Sequence, residues 1–181
     1  MSASPHIMIV ESPYYQEINN NIVESVLIEL GQADATHERF EVPGSFELPG
    51  AIRMAIEADN GPSDRKRFDG YIALGCVIRG ETSHYDYVCE ESARGLNDLV
   101  LKYAIALGYG VLTTENREQA LARSKRDQHD RGGAAARACL ASCSRISPTT
   151  TALQSIAPAP ASSALRIAAC SSLLRASAVR T

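Results

Sequence analysis

The sequence contains no tryptophan, and its five cysteines (Cys76, Cys89, Cys139, Cys143 and Cys170) include no CxxC pair. Their odd number and wide scatter exclude the framework of a small secreted disulfide protein, and nothing has the spacing of a structural zinc site. No apolar stretch approaches the roughly twenty residues that a membrane-spanning helix needs. The opening MSASPHIMIVESPYY lacks both the basic leader and the sustained apolar run of a signal peptide. These absences point to a protein of the reduced cytoplasm with no membrane partner.

Nucleotide fingerprints are missing too. There is no GxGxxG after the first apolar run, no GxxxxGK[ST] and no GxSxG elbow. The four histidines are widely separated, so an enzyme built on this chain is expected to work without a bound metal or dinucleotide. The formal charge of −3 argues against a nucleic-acid partner. One further absence is local. Residues 1–130 hold 12 Lys/Arg against 21 Asp/Glu, whereas residues 131–181 hold six arginines and no acid.

What remains is a regular alternation of element signals. HIMIVE (6–11) has the length and composition of a short buried strand, and residues 17–31 have the periodicity of an amphipathic helix stopped by Gly31. ATHERFEV (35–42) alternates as a second strand. Leu48, Ile52, Ala55 and Ile56 form one helix face that tolerates Pro49 in its first turn. GPSDRKR (61–67) is a solvated loop. DGYIALGCVI is the most apolar strand and belongs at the centre of a sheet. Ser83 and Asp86 stand three apart, a capping-box spacing that predicts a helix running towards residue 105. YGVLTT (109–114) is a fourth strand, Asn116 and Gln119 repeat the capping spacing, and residues 132–141 open a last helix.

Strands alternating with long amphipathic helices give an α/β fold: a three-layer α/β/α sandwich around a four-stranded parallel sheet. Ligands of such folds gather at the carboxyl ends of the strands. The stretches to inspect are therefore Ser12–Tyr15, Pro43–Glu47, Gly75–His84 and Thr113–Asn116.

Several residues there carry two readings each. His84 is either a proton shuttle or a structural histidine. Gly80, Thr82 and Ser83 offer a tight turn, backbone N–H groups and hydroxyls where an anion would be favoured, although capping alone explains Ser83. Arg123, with Arg117 and Arg126 nearby, is a phosphate grip or part of a solvated helix face. Tyr14 and Tyr109 stack on a flat heterocycle or pack against an adjacent subunit. Glu47 holds hydroxyls or complements a helix dipole. Cys76 and Cys89 have no activating partner and read as bystanders.

Four segments in register, VPGSFELP, GCVIRGETSHYDYVCEES, GYGVLTTENREQA and RGGAAARA, resemble the 6,7-dimethyl-8-ribityllumazine synthase family over about residues 5 to 140. The resemblance implies a flavodoxin-like strand order. It also implies a cofactor-free condensation of two small molecules, 5-amino-6-(D-ribitylamino)uracil and 3,4-dihydroxy-2-butanone 4-phosphate, in riboflavin biosynthesis. By the same resemblance Tyr14 stacks on the pyrimidine, and Ser45, Phe46 and Glu47 hold its ring and ribityl chain. Ile78 lies beside the ring, and Gly80, Glu81 and Thr82 face the phosphate. His84 moves protons, Tyr109 arrives from a neighbouring subunit, Arg123 grips the phosphate, and Arg131 takes the place of a lysine on the same wall. The family builds its sites between subunits of a homopentamer, some of them gathered into larger shells.

Departures from the family pattern are concentrated at the end. Ser-Pro-Tyr-Tyr (12–15) stands where an arginine–phenylalanine pair is common, yet keeps a ring at Tyr14. Beyond Leu140 the chain carries ten alanines, nine serines and four arginines in 41 residues, with no acid, glycine or aromatic. Residues 1–140 thus form the expected family domain, and residues 141–181 read as an atypical Ala/Ser-rich tail, disordered or derived from a shifted reading frame. The competing reading is a non-catalytic ligand-binding or shell-forming protein on the same scaffold.

Overall fold

The computed structural model describes residues 4–59 and 67–146. The loop expected at 61–67, except Arg67, and the tail beyond Ile146 lie outside the described residues. Four strands, β1 (His6–Glu11), β2 (Thr36–Glu41), β3 (Gly70–Ile78) and β4 (Ala106–Thr114), form one parallel sheet in the order β2-β1-β3-β4. The helices are α1 (Gln16–Gln32), α2 (Leu48–Asp59), α3 (His84–Tyr103), α4 (Arg117–Ser124) and α5 (Arg131–Ile146), with a 3-10 turn over Ser45–Glu47. Helices cover both faces of the sheet, giving the flavodoxin-like sandwich expected of the sequence.

The period of two along each strand divides the core. Ile7 and Ile9 of β1, with Ile72, Leu74 and Cys76 of β3, meet Ile18, Ile22, Val26 and Leu30 of α1 and Ala135, Ala136 and Cys139 of α5. Their neighbours Met8, Val10, Tyr71 and Ala73 point the other way, onto Leu48, Ile52 and Ile56 of α2 and Leu96 and Leu99 of α3. Both interior strands are therefore apolar at nearly every position, as a doubly covered strand must be. Each fully buried Ile or Leu contributes about 1.5–3 kcal/mol. Edge strand β2 (THERFE) is mostly exposed and charged, which discourages pairing with stray chains.

Two boundaries differ from the sequence reading. Strand β4 begins at Ala106 rather than residue 109, because Gly108 and Gly110 weaken its strand signal while serving a packing need. An ideal Cβ on Gly108 would lie 2.2 Å from the carbonyl oxygen of Ala135, so α5 rests directly on the β4 backbone there. Helix α3 correspondingly stops at Tyr103, where Ala104 turns left-handed at φ 49°.

The capping reading holds at one helix and fails at another. Asn116 Oδ1 accepts from the Gln119 backbone N–H at 2.9 Å, while Gln119 Oε1 reaches back to accept from Glu115 N–H. Ser83, by contrast, makes no side-chain cap bond at the start of α3, since its own backbone is already in the right-handed helical region. Instead the Thr82 hydroxyl accepts from His84 N–H at 3.4 Å.

Candidate active site

At the carboxyl edge of the sheet lies a cavity of about 560 Å³. Three of the four strand-end stretches line it: Ser12, Tyr14 and Tyr15 after β1, Pro43–Glu47 after β2, and Cys76–His84 at the end of β3, less Arg79, Glu81 and Ser83. The fourth stretch, Thr113–Asn116, does not. Of the residues expected at a site, Tyr14, Ser45, Phe46, Glu47, Ile78, Gly80, Thr82 and His84 share this wall. Glu81, Tyr109, Arg123 and Arg131 are not on it. Glu81 is exposed in the turn, Tyr109 stands 42% exposed on β4, Arg123 donates to the Gln119 carbonyl on its own helix, and Arg131 opens α5.

Each part of the wall has a local cause. Tyr14 is 74% exposed and sits edge-on to Tyr15 with ring centroids 5.0 Å apart, so a large aromatic face is open to a flat partner. Phe46 adds a second exposed ring from the 3-10 turn. Ser45 drops beneath that turn and is buried against β3. An ideal Cβ on Gly75 would lie 2.5 Å from its Oγ, so glycine at 75 is what lets the hydroxyl seat there. Two wall hydroxyls, Ser12 Oγ and Ser45 Oγ, are buried without a hydrogen-bond partner in the protein. Such groups are costly unless satisfied, and a polar ligand or water is their natural complement.

Also on the cavity wall, the turn after β3 leads through Gly80 and Thr82 into His84, the first residue of α3. The N-terminus of this 20-residue helix favours negative charge. Arg79, just before the turn, bonds Glu115 at 2.7 Å and Asp86 at 3.0 Å.

Ser12, Tyr15, Pro43, Gly44, Cys76 and Val77 also line the wall, within the inspected stretches but without an assigned role, and Tyr85 and Val88 lie outside those stretches. Alternation along β3 could have found Cys76, since it lies two residues before Ile78 and shares its face. Burial pushes the Cys76 thiol up to about 12 and also raises Cys89 and Tyr15, so Cys76 is a neutral wall group rather than a nucleophile. Among the described residues no three His, Cys, Asp or Glu side chains come together as a metal site.

The family model for 6,7-dimethyl-8-ribityllumazine synthase matches residues 4–146. The 6,7-dimethyl-8-ribityllumazine synthase of Agrobacterium fabrum is 45% identical over 138 residues, which cover 76% of this chain and 92% of that protein. The Rhizobium meliloti 6,7-dimethyl-8-ribityllumazine synthase 1 is 48% identical over 136 residues, 75% of this chain and 87% of the relative. A third, from Sphingopyxis alaskensis, is 47% identical over 136 residues, covering 75% and 91%. With strand order, cavity position and relatives in agreement, this chain belongs to the 6,7-dimethyl-8-ribityllumazine synthase family.

Proposed function

We propose that the chain condenses 5-amino-6-(D-ribitylamino)uracil with 3,4-dihydroxy-2-butanone 4-phosphate to form 6,7-dimethyl-8-ribityllumazine, phosphate and water. The observation that carries this is one cavity facing exposed aromatic rings with a turn and helix N-terminus suited to an anion. The pyrimidine stacks on Tyr14 beside Ile78. Phe46 and Glu47 border its ribityl chain, and Ser45 supplies a buried hydroxyl. The phosphate lies at Gly80, Glu81 and Thr82.

Amine attack on a carbonyl is intrinsically feasible, so orienting the two reactants supplies much of the acceleration. His84 moves protons during imine formation, phosphate loss and ring closure. None of these steps calls for a redox group or an external electron sink. Tyr109, Arg123 and Arg131 lie off this wall and complete the site of a neighbouring subunit in a homopentamer. The aromatic edge of Tyr109 and the cationic grip of Arg123 are then supplied in trans. Its four cysteines among the described residues are free thiols, and no helix there is long and apolar enough to cross a membrane; both fit a role in the cytoplasm.

The test is turnover with both substrates, following the lumazine product and released phosphate while light scattering records assembly mass. Product from a pentamer or larger species is expected. An assembled chain that binds substrate yet forms no product would leave only a binding or shell role. Replacement His84→Gln is expected to slow kcat about a hundredfold without abolishing product. Loss of fewer than a few turnovers in ten would remove His84 from the proton-transfer role.

A further inference from the structure

We propose that Arg79 is a positioning residue: its guanidinium clamps the turn that carries Gly80, Thr82 and His84, and so sets the geometry of the phosphate end of the cavity. The proposal rests on the reaction proposed above. Arg79 follows the last residue of β3, and its backbone N–H donates to the Thr114 carbonyl at 2.9 Å, one step beyond the β3–β4 ladder. Its side chain then reaches two further pieces of chain. Nε donates to Glu115 Oε2 at 2.7 Å, in the connection from β4 to α4. Nη2 and Nη1 reach the two Asp86 oxygens at 3.0 and 3.4 Å, in the first turn of α3. The guanidinium lies 4.0 Å over the Tyr85 ring, and Tyr85 itself lines the cavity.

This arrangement replaces the missing cap. Ser83 makes no side-chain cap bond, so the helix start bearing His84 is tied down through Asp86 and Tyr85 instead. A planar fork with five donors can satisfy two carboxylates and stack at once, which an ammonium cannot. The same pairing argues against Arg79 as a phosphate ligand. Its donors face Glu115 and Asp86, and an incoming dianion would meet those carboxylates first. Arg79 also offsets one of their two negative charges beside the turn where the phosphate must sit. Its loss would therefore both loosen the turn and leave two uncompensated negative charges near the anion.

The experiment compares the full chain with Arg79→Met and Arg79→Lys. Hydrogen exchange of the 80–88 peptide reads the clamp without reference to turnover. Faster exchange there in Arg79→Met, with α1 and β1 unchanged, is the expected result, and unchanged exchange overturns the proposal. Kinetics read its consequence. In Arg79→Met, KM for the phosphorylated substrate is expected to rise about tenfold and KM for the pyrimidine to stay within about twofold, with Arg79→Lys in between. A merely structural arginine would lower the active fraction and leave both KM values alone, which would also overturn the proposal. Absence of turnover in the unmodified chain would instead remove the reaction, and the exchange data would still decide whether Arg79 holds the turn.

Discussion

The two faces of the sheet are built on opposite packing rules. On one face α5 sits on backbone: Ala135, Ala136 and Cys139 are small, and Gly108 lets a main-chain carbonyl approach where any side chain would collide. On the other face, large side chains fill the space, with Phe68 and Tyr71 from the sheet side meeting Leu48, Ile52 and Ile56 of α2 and Leu96 and Leu99 of α3. Where α5 crosses β4 the packing depends on nothing being added, whereas the core between the sheet and α3 depends on nothing being removed. Helices α2 and α3 also expose the large apolar side chains of Met54, Tyr87 and Leu101.

Mutations can test that contrast directly. The largest effect is expected for Gly108→Val, which drives a branched side chain into the Ala135 carbonyl and should cost about 4 kcal/mol or prevent folding. A chain of near-normal stability by denaturant melting would show that α5 can lift off the sheet, breaking the comparison. Next comes Leu96→Ala on the opposite face, where a side chain only 1% exposed is removed and about 3 kcal/mol is expected to be lost. A smaller change of opposite sign is expected at Ala104, whose left-handed backbone suits glycine. There Ala104→Gly should raise stability by about 1 kcal/mol by the same measurement.

The last test has no effect at neutral pH. Burial raises the Cys76 thiol from about 9 to about 12 and the Tyr71 hydroxyl from 10 to about 12. Both groups ionise first in the unfolded chain, so their contribution to stability is complete below pH 9 and is lost as pH rises towards 12. Stability should begin to fall above pH 9 through the α5 face, and more steeply above pH 10 through the other. Melting Tyr71→Phe across this range should flatten only the upper part, and an unchanged curve would contradict that assignment.

How much was readable from the chain follows the range of the signals. Strand and helix identity came through wherever periodicity was long, as in α1 and β3. Asn116 announced its cap because its partner is three residues away. Ser83 carried the same spacing and does not cap, since spacing cannot report that its backbone has already turned helical. The strand-end rule located the cavity, yet it could not tell that Thr113–Asn116 would turn aside to hold Arg79. Partners 7 and 36 residues away leave no local trace. The start of β4 was missed because its glycines serve α5, a contact between segments far apart in sequence.

Gly75 has a consequence for genetics. A methyl group there meets the Ser45 hydroxyl at 2.5 Å and otherwise only ordinary contacts with Ser45 Cβ and Leu48 at 3.5 Å, so the hydroxyl must rotate while the sheet keeps its shape. A Gly75→Ala allele would thus leave expression intact and dim only the chemistry above it. If the proposed reaction supplies a strain's riboflavin, that codon offers a leaky growth phenotype, rescued by the vitamin and separable from alleles that act by unfolding.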